Sequence, residues 1–428
     1  MTCSTQVRGA VLALLLQALI SLPAWAESVP RTINEIVALA QKQSAELTAL
    51  EKEAEAKQAL AVQSGALTNP TLELQGSTGS FSGSPAERSA SIGINQEIPL
   101  NGKLRLRREA GQREAEVAQR QRDNAARLLK EEVSVLAVDM AFADKRLRLA
   151  ADLVGLNRDL MAIAEERFKA GDIPELELNI AKVELARAES RLGEAERESR
   201  SLRIRMSSLT GLDEASCKLS EDFSTPVVSQ TSQELTKQAL VSRPDLQALA
   251  LERGKAETET RLAEAEALPN LTAGVFAQRQ RGSTEVGDLS SISSDTQLGV
   301  RLSMPIPVFD RNQGGRIAAR SRLDASGSRR LALERAVTAE VEAAFSRLSS
   351  SARILALFEQ GILPQLTENL KLTQEAYRLG EIGMLAVIEE QKKFFEVNDG
   401  YLAALHGRRV AFVKLESAVA IDLSGGVQ

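Results

Sequence analysis

Two short stretches about 200 residues apart decide the fold: Arg167-Phe168-Lys169-Ala170-Gly171-Asp172-Ile173 and Tyr377-Arg378-Leu379-Gly380-Glu381-Ile382. In both, a helical pattern stops at a glycine that is followed by an acidic residue and isoleucine. Two further stretches, 96–101 (QEIPLN) and 304–309 (MPIPVF), each close a strand-like segment ahead of a helix. This period is much longer than the roughly 20 to 50 residues of a solenoid repeat. The sequence therefore predicts an internal duplication, with two similar halves around a pseudo-symmetry axis.

A very long helix is predicted before each of the two glycines. Residues 103–169 contain no proline, and apolar side chains recur there at intervals of seven: Leu128, Val135, Phe142, Leu149, Leu156 and Ile163. The same interval recurs within residues 316–379, at Val341, Leu348, Leu355 and Ile362. A strict heptad indicates left-handed supercoiling of long helices. Pro364 should kink or briefly interrupt the second helix because it removes a backbone donor. Shorter helices at 175–209 and 384–420 are expected to run back antiparallel.

The turns between these helices are the candidate docking tips. Glycine suits a left-handed helix C-cap, and Pro174 suits the first turn of the helix that follows. As helix-hairpin turns they need no function. Two matching tips at the end of a rod would nevertheless form a natural docking surface. The candidate tip residues are Gly171, Asp172, Ile173, Tyr377, Gly380, Glu381 and Ile382.

Each half also contains a predicted strand pair, which follows a helix (33–65 in the first half). Polar and apolar residues alternate in 71–75 and 91–98 around a Gly/Ser-rich segment, 76–85, that is predicted to be a loop. In the second half the strands are 270–278 and 297–304, around a predicted polar loop at 282–295.

Isolated strand pairs among helices need partners, because a lone two-stranded hairpin is marginal in water. Four strands cannot close a barrel, for which about eight are needed. A threefold ring of subunits would supply twelve strands and leave no exposed edge. Apolar-outward alternation over about ten residues is typical of an outer-membrane strand. The alternative is a small soluble sheet that covers helices.

The N-terminus predicts export. Arg8, an apolar stretch at 10–22 and Ala24-Trp25-Ala26 form a signal peptide, so the mature chain should begin at Glu27. An uncleaved anchor is the alternative, although the apolar run is short for a bilayer, which needs about 20 residues. Cys217 would then be the only cysteine of the mature chain, and we expect a buried thiol without a disulfide. The net charge of -5 gives no reason to expect nucleic acid as a partner.

The sequence contains no set of residues that matches a known catalytic or metal site. His406 is the only histidine, which excludes histidine metal sites and a Ser-His-Asp triad. Gly102-Lys103 lacks the rest of a phosphate-binding loop. The segment 310–315 resembles the start of a calcium loop, but Ser321 stands where the loop needs glutamate, and Asp310 is instead expected to cap the second long helix. We therefore expect no enzyme, no cofactor and no resident metal.

These patterns divide the chain into nine segments. They are a signal peptide (1–26), a first helical segment (27–69), a first β-hairpin (70–100), a first long helical hairpin (101–210), a link (211–232), second-half helices (233–268), a second β-hairpin (269–308), a second long helical hairpin (309–422) and a tail (423–428).

The strand exits and the tips resemble the TolC family of outer-membrane efflux ducts over essentially the whole mature chain. The segments 96–103 (QEIPLNGK) and 305–314 (PIPVFDRNQG) are especially similar to the branch that serves heavy-metal cation exporters, the CzcC type. The resemblance implies a mainly α fold with a small β part. Long antiparallel coiled-coil helices would form an α-barrel in the periplasm, and four transmembrane strands per chain would complete a 12-stranded barrel in the outer membrane.

The same resemblance implies a homotrimer in outer-membrane lipid, with tips that meet a periplasmic adaptor linked to an inner-membrane RND pump. In that family an acidic ring near the tips narrows the lumen, and its candidates here are Glu177, Glu389 and the adjacent Glu390. At Ile382 the prototype TolC carries an arginine, so a gate here should rely on other contacts. The implied cargo is a divalent heavy-metal cation. Alternatives are a duct for drug efflux or type I protein secretion, and a soluble periplasmic scaffold or adaptor.

Overall fold

The computed structural model describes residues 32–81, 84–214, 225–286 and 289–423. The predicted signal peptide, its cleavage site and Cys217 lie outside the described residues, as does most of the predicted tail.

The first half contains two helices, a strand pair, a long helix and a returning helix. Its elements are α1 (Ile33–Gln43), α2 (Ala45–Ser64), β1 (Thr71–Gly79), β2 (Ser84–Ile98), α3 (Lys103–Ala170) and α4 (Glu175–Thr210). The predicted single helix at 33–65 is wrong in one respect, because it is interrupted at Ser44. The Ser44 side chain accepts a hydrogen bond from the Leu47 amide at 3.2 Å and so starts α2 as an N-cap.

The second half repeats this order. Its elements are α5 (Ser232–Ser242), α6 (Pro244–Glu266), β3 (Leu271–Val286), β4 (Leu289–Ser303), α7 (Gln313–Leu357), α8 (Leu363–Arg378) and α9 (Met384–Val419). A π-helical turn, Phe358–Ile362, separates α7 from α8. Its backbone hydrogen bonds join residues five apart, as between the Leu363 amide and the Phe358 carbonyl. The predicted disturbance near Pro364 is confirmed, and it takes the form of this wider turn.

The four strands form one antiparallel sheet in the order β1-β2-β3-β4. The predicted loops at 76–85 and 282–295 are wrong over most of their length, because β1 continues to Gly79, β2 begins at Ser84, and β3 and β4 pair as far as Val286↔Leu289. Strand pairing is made by backbone groups, which serine, glycine and threonine supply as well as apolar residues do.

The entry to α7 also differs from expectation. Asn312, and not Asp310, is the N-cap residue, with a left-handed backbone at φ 56° and no side-chain cap. The Asp310 carboxylate instead accepts the Asn312 amide at 2.8 Å and shapes the turn. Asn101 has the same φ of 56° two residues before α3, so both halves turn from strand to helix through a left-handed asparagine.

The chain divides into two compact units. Of the described residues, unit 1 comprises those within 32–43, 133–214 and 369–402, and unit 2 comprises those within 44–132, 225–368 and 403–423.

In unit 1, α3 buries both small and large side chains, and one of its buried rows contains three alanines. The positions buried at intervals of seven are Leu136, Ala143, Ala150, Asn157 and Ala164. The predicted series lies one residue earlier, and its unit 1 members from Val135 to Ile163 are only half-buried. One residue turns a helix by about 100°, so the buried row has the same period of seven as the predicted series but lies on a different side of α3. In unit 2, three members of the second heptad series, Val341, Leu348 and Leu355, are buried, whereas Ile362 is exposed.

The core of unit 2 ends at a buried charge cluster around Arg243, whose side chain is 5% exposed. Arg243 pairs with Asp245 at 2.8 Å and with Glu340 at 2.7 Å, and it donates to the Ala418 carbonyl at 3.2 Å. Arg127 donates to the Ser417 carbonyl at 2.9 Å. Both guanidinium groups therefore satisfy carbonyls at the C-terminal end of α9, where positive charge is favourable.

Lys103, also in unit 2, joins the two halves at the helix end of the sheet. Its buried ammonium donates to the Leu268 carbonyl at 2.5 Å and to the Asn270 side chain at 2.6 Å. The Asn270 amide in turn donates to Glu97 at 2.6 Å. Burial lowers the pKa of Lys103. Lys103, which was rejected as part of a phosphate-binding loop, thus has a structural role and holds the start of β3.

Candidate functional site

The two predicted tips end their helices in the same way. The amide of Gly171 bonds to the Phe168 carbonyl at 3.0 Å, and the amide of Asp172 bonds to the Arg167 carbonyl at 2.9 Å. At the second tip, Gly380 and Glu381 make the corresponding bonds to the Tyr377 and Ala376 carbonyls at 3.0 and 2.9 Å. These paired bonds form a Schellman motif, which requires a left-handed residue after the helix. Gly171 and Gly380 supply it, with φ of 82° and 80°.

An apolar cluster lies under both tips, in unit 1. It contains Leu160, Ala164, Ile173, Leu178, Ala181, Tyr377, Met384, Val387 and Ile388, with Ile382 packed against it. The predicted tip residues therefore divide by position. Gly171, Asp172, Gly380 and Glu381 are exposed, whereas Ile173 and Tyr377 are buried beneath them and Ile382 is half-buried.

Tyr377 is the largest fully buried side chain of this cluster, and sequence reasoning missed its contacts. Arg167, from the end of the other long helix, donates to the Tyr377 carbonyl at 3.2 Å and stacks 5.0 Å from the ring centroid. The Tyr377 hydroxyl is buried without a partner among the described residues. Burial raises the pKa of Tyr377, the charge of Glu177 raises it further, and Arg167 opposes both. The features of the sequence that could have pointed to this contact are Tyr377 and Arg167, each of which lies within four residues of its tip glycine.

The candidate acidic residues do not form one group. Glu177 is half-buried near the Tyr377 side chain, Glu389 is exposed, and Glu390 pairs with Lys393 at 3.6 Å. Three leucines near the tips are strongly exposed instead: Leu176, Leu379 and Leu385. The predicted residues thus lie around the tips, but the most exposed apolar surface there belongs to leucines that the sequence analysis did not select.

The sheet, in unit 2, has one apolar and one polar face. Rows of paired residues cross all four strands on the apolar face, for example Leu74, Ile92, Ala277 and Leu298, and then Leu72, Ile94, Val275 and Val300. Most of these side chains are exposed, Leu298 by 85%. Unpartnered apolar area of this extent marks a surface that contacts lipid or protein.

The polar face of the sheet is held together by charge and by one aromatic ring. Glu73 accepts hydrogen bonds from Asn95 at 2.8 Å and from Arg301 at 2.7 Å. The Arg301 guanidinium also lies 5.3 Å from the centroid of the Phe276 ring. That ring occupies the space over Gly299, where the Cβ of any larger residue would lie 2.5 Å from the Phe276 Cζ. The alternation of faces is that of a membrane strand with a polar interior.

Among the side chains that the structure describes, no three of His, Cys, Asp and Glu lie close enough together to hold a metal ion. No helix within the described ranges is both long enough and apolar enough to cross a membrane.

Comparisons with known proteins agree with this arrangement. The model of the outer membrane efflux protein family matches residues 36–212 and 235–420, one segment in each half. The cobalt-zinc-cadmium resistance protein CzcC of Cupriavidus metallidurans is 24% identical over 376 residues, which cover 88% of this chain and 87% of that protein. The crystal structure of CusC has a TM-score of 0.74 at 18% identity and covers 92% of this chain and 93% of its own.

The CmeC outer membrane channel of Campylobacter jejuni has a TM-score of 0.73 at 15% identity, with 93% of this chain and 87% of that chain covered. The fold and family are those of channels and not of enzymes. The family model covers most of both halves of the sequence. The chain therefore belongs to the outer membrane efflux protein family, the outer-membrane ducts of tripartite export systems.

Proposed function

We propose that this protein is the exit duct of an RND-type efflux system, that it works as a homotrimer, and that it conducts divalent heavy-metal cations. The homotrimer is inferred from the sheet, which is open at both edges and has one apolar and one polar face. Its outer strands, β1 and β4, each have one unpaired edge, and its apolar face is exposed. Three copies would pair each β4 with the next β1 and satisfy every edge.

Three copies also account for both faces of the sheet. The apolar rows would face outer-membrane lipid, and the polar face with Glu73 and Arg301 would line the lumen. The test is the mass of the detergent-solubilised particle together with its symmetry in cryo-microscopy. A trimer that fractionates with the outer membrane is expected. A water-soluble monomer indifferent to detergent would favour the alternative of a periplasmic scaffold.

Heavy-metal cargo is supported by the relationship to CzcC, whose name records cobalt, zinc and cadmium resistance. We expect a deletion strain to become sensitive to one or more of these ions and to recover with the wild-type gene. Sensitivity to dyes and detergents, with unchanged metal tolerance, would instead assign the duct to drug efflux. Secretion of a protein lost in the deletion strain would assign it to type I secretion.

Docking of a periplasmic adaptor at the tips is supported by their exposed surface. The exposed surface of the tips consists of backbone and charge, supplied by Gly171, Asp172, Gly380 and Glu381, and the exposed leucines lie beside it. The shape of the tips is held by Ile173, Tyr377 and Ile382. We expect G171W/G380W to abolish adaptor cross-linking and export while trimers persist. G155W is the matched control, because Gly155 is an exposed glycine within α3 with open space around it. Undiminished export by the double variant would contradict the tip assignment.

Glu177 and Glu389 are the proposed cation-attracting groups of the narrow end, whereas the pairing of Glu390 with Lys393 offsets its charge. Carboxylates in a confined path raise the local cation concentration without binding the ions tightly. E177Q/E389Q should reduce cation selectivity, measured as the reversal potential across a planar bilayer under a salt gradient. E390Q is the control. If E390Q reduces cation selectivity as much as E177Q/E389Q does, the assignment of this role to Glu177 and Glu389 is refuted.

A further inference from the structure

Three arginines interrupt the apolar face of the sheet near its hairpin turns. Arg88 on β2 lies directly opposite Arg281 on β3, and Arg279 precedes Arg281 by two residues. Side chains two apart in a strand point to the same face, so the three guanidinium groups share a face with Ile92 and Leu298. The face that is apolar near the helices therefore ends in a cluster of positive charge.

The three arginines have no anionic partner among the described side chains. All three are exposed, and no ion pair or side-chain hydrogen bond within that part of the chain involves them. Like charges directly opposite each other destabilise a strand pair. A depression of about 750 Å³ lies between them, and the hydroxyls of Thr78 and Ser294 flank the same cross-strand row. Such an arrangement suits an anion that bridges the guanidinium groups.

The position of the cluster along the strands indicates its depth. From the Ile98–Leu271 pair at the helix end to the Arg88–Arg281 pair is ten residues. At about 3.4 Å per residue this is roughly 34 Å along the strand. With the tilt of about 40° that is usual in membrane barrels, the height is roughly 26 Å, against an apolar band about 25 Å tall. The arginines therefore reach the headgroups at the surface remote from the helices.

We propose that Arg88, Arg279 and Arg281 form a binding site for the phosphate groups of lipopolysaccharide in the outer leaflet. The inference rests on the orientation proposed above, with the apolar face in lipid and the helices in the periplasm. Guanidinium groups bind phosphate oxygens in pairs, and three of them match a phosphomonoester. The neighbouring Ile92, Ala277 and Leu298 would contact acyl chains of the same molecule. An amphiphile satisfies both surfaces, whereas a soluble anion or an acidic protein would leave the apolar rows uncovered.

The test measures binding of bisphosphorylated lipid A to the full-length, delipidated protein in mild detergent, by native mass spectrometry. R88Q/R279Q/R281Q should bind at least tenfold more weakly than the wild type. The lysine variant R88K/R279K/R281K keeps the charge and should bind within a few-fold of the wild type. R320Q/R347Q/R353Q is the matched control, because it removes three exposed arginines of α7 and should bind like the wild type.

Three results would overturn the proposal. They are wild-type affinity of the triple glutamine variant, equal binding of dephosphorylated lipid A, and equal binding of phosphatidylglycerol or inorganic phosphate. Outer-membrane fractionation and particle mass are measured on the same preparations. A wild type that fails to fractionate with the outer membrane refutes the proposed orientation, whereas a membrane-inserted trimer with unaltered lipid A binding in the glutamine variant refutes only the arginine site. If the glutamine variant does not assemble, the single variant R281Q replaces it, with weaker binding expected.

Discussion

Replacement of Arg243 by methionine tests the buried charge cluster of unit 2. The side chain is 5% exposed, and its removal takes the Arg243 donor from the Ala418 carbonyl and leaves the Asp245 carboxylate with only the Leu246 amide as a donor. A hydrogen bond to a charged group contributes about 1.5 to 3 kcal/mol, and one to a neutral carbonyl about 1 kcal/mol. The pair with Glu340 adds little, because that carboxylate is 48% exposed and well screened.

The sum is about 3 kcal/mol, at the lower end of the roughly 3 to 5 kcal/mol that follows from removal of one partner of a buried pair. Hydrogen exchange of the purified protein is the suitable assay because it reports local opening. A loss of 3 kcal/mol corresponds to roughly 100-fold faster exchange of amides at the start of α6 and the end of α9. R243M/D245N should recover part of the loss, since it removes the orphaned charge.

The matched control is R253M on α6, the helix that Arg243 immediately precedes. Arg253 pairs with Glu257 at 3.3 Å, but both side chains are about half exposed, 50% and 49%. An exposed pair of this spacing contributes about 0.3 to 0.5 kcal/mol, so exchange should change by about twofold. If R243M accelerates exchange no more than R253M does, the cost of burying the charges cancels their attraction and the reasoning is refuted.

Three further predictions concern single groups. Burial favours a higher pKa for Asp245, but the hydrogen bond and charge of Arg243 outweigh it and hold that pKa below its usual value; the stabilisation lost in D245N should therefore be constant above about pH 5 and disappear as pH falls below about 4, in denaturant titrations at each pH. G171A should destabilise unit 1 by about 1 to 2 kcal/mol because of its positive φ, whereas G155A within α3 should stabilise it by about 0.5 to 1 kcal/mol; equal thermal shifts would contradict this. G299A should displace the Phe276 ring, with an overpacking cost of about 1 to 3 kcal/mol, and lower the melting temperature of the purified protein.

Helix ends were predictable from sequence because they depend on local chemistry. The long helix of the first half was expected at 103–169 and is Lys103–Ala170, and its return was expected at 175–209 and is Glu175–Thr210. Glycine stops such helices through its own backbone freedom, which requires no tertiary information.

Strand lengths and the buried stripe of α3 could not be predicted in the same way. The outer parts of β3 and β4 are polar, and they remain strands because each backbone is paired with its neighbour. In α3, alanines are buried and larger residues one position earlier are not, since close helix packing favours small side chains. Strand length and the buried side of α3 both depend on which strand or helix packs against each residue, and a single sequence does not contain that information.

The tip site was predicted only in part. Glycines and acidic residues could be selected from their spacing, but the Arg167–Tyr377 contact joins residues 210 positions apart. Nothing in the local pattern distinguished Tyr377 from Phe168, which holds the corresponding place before Gly171 and is 39% exposed. The two halves are alike in backbone at their tips and differ in which aromatic ring is enclosed.

The π-helical turn at Phe358–Ile362 has a consequence for how this gene can change length. Its wider loop accommodates one residue more than an α-helical turn while the helix continues on both sides. Deleting one residue there would restore an α-helical turn and leave the flanking helical segments in nearly their present rotation, whereas a deletion within α7 would rotate all that follows by about 100°. Loss of one codon in this turn should therefore be far better tolerated than loss of one codon in the middle of α7.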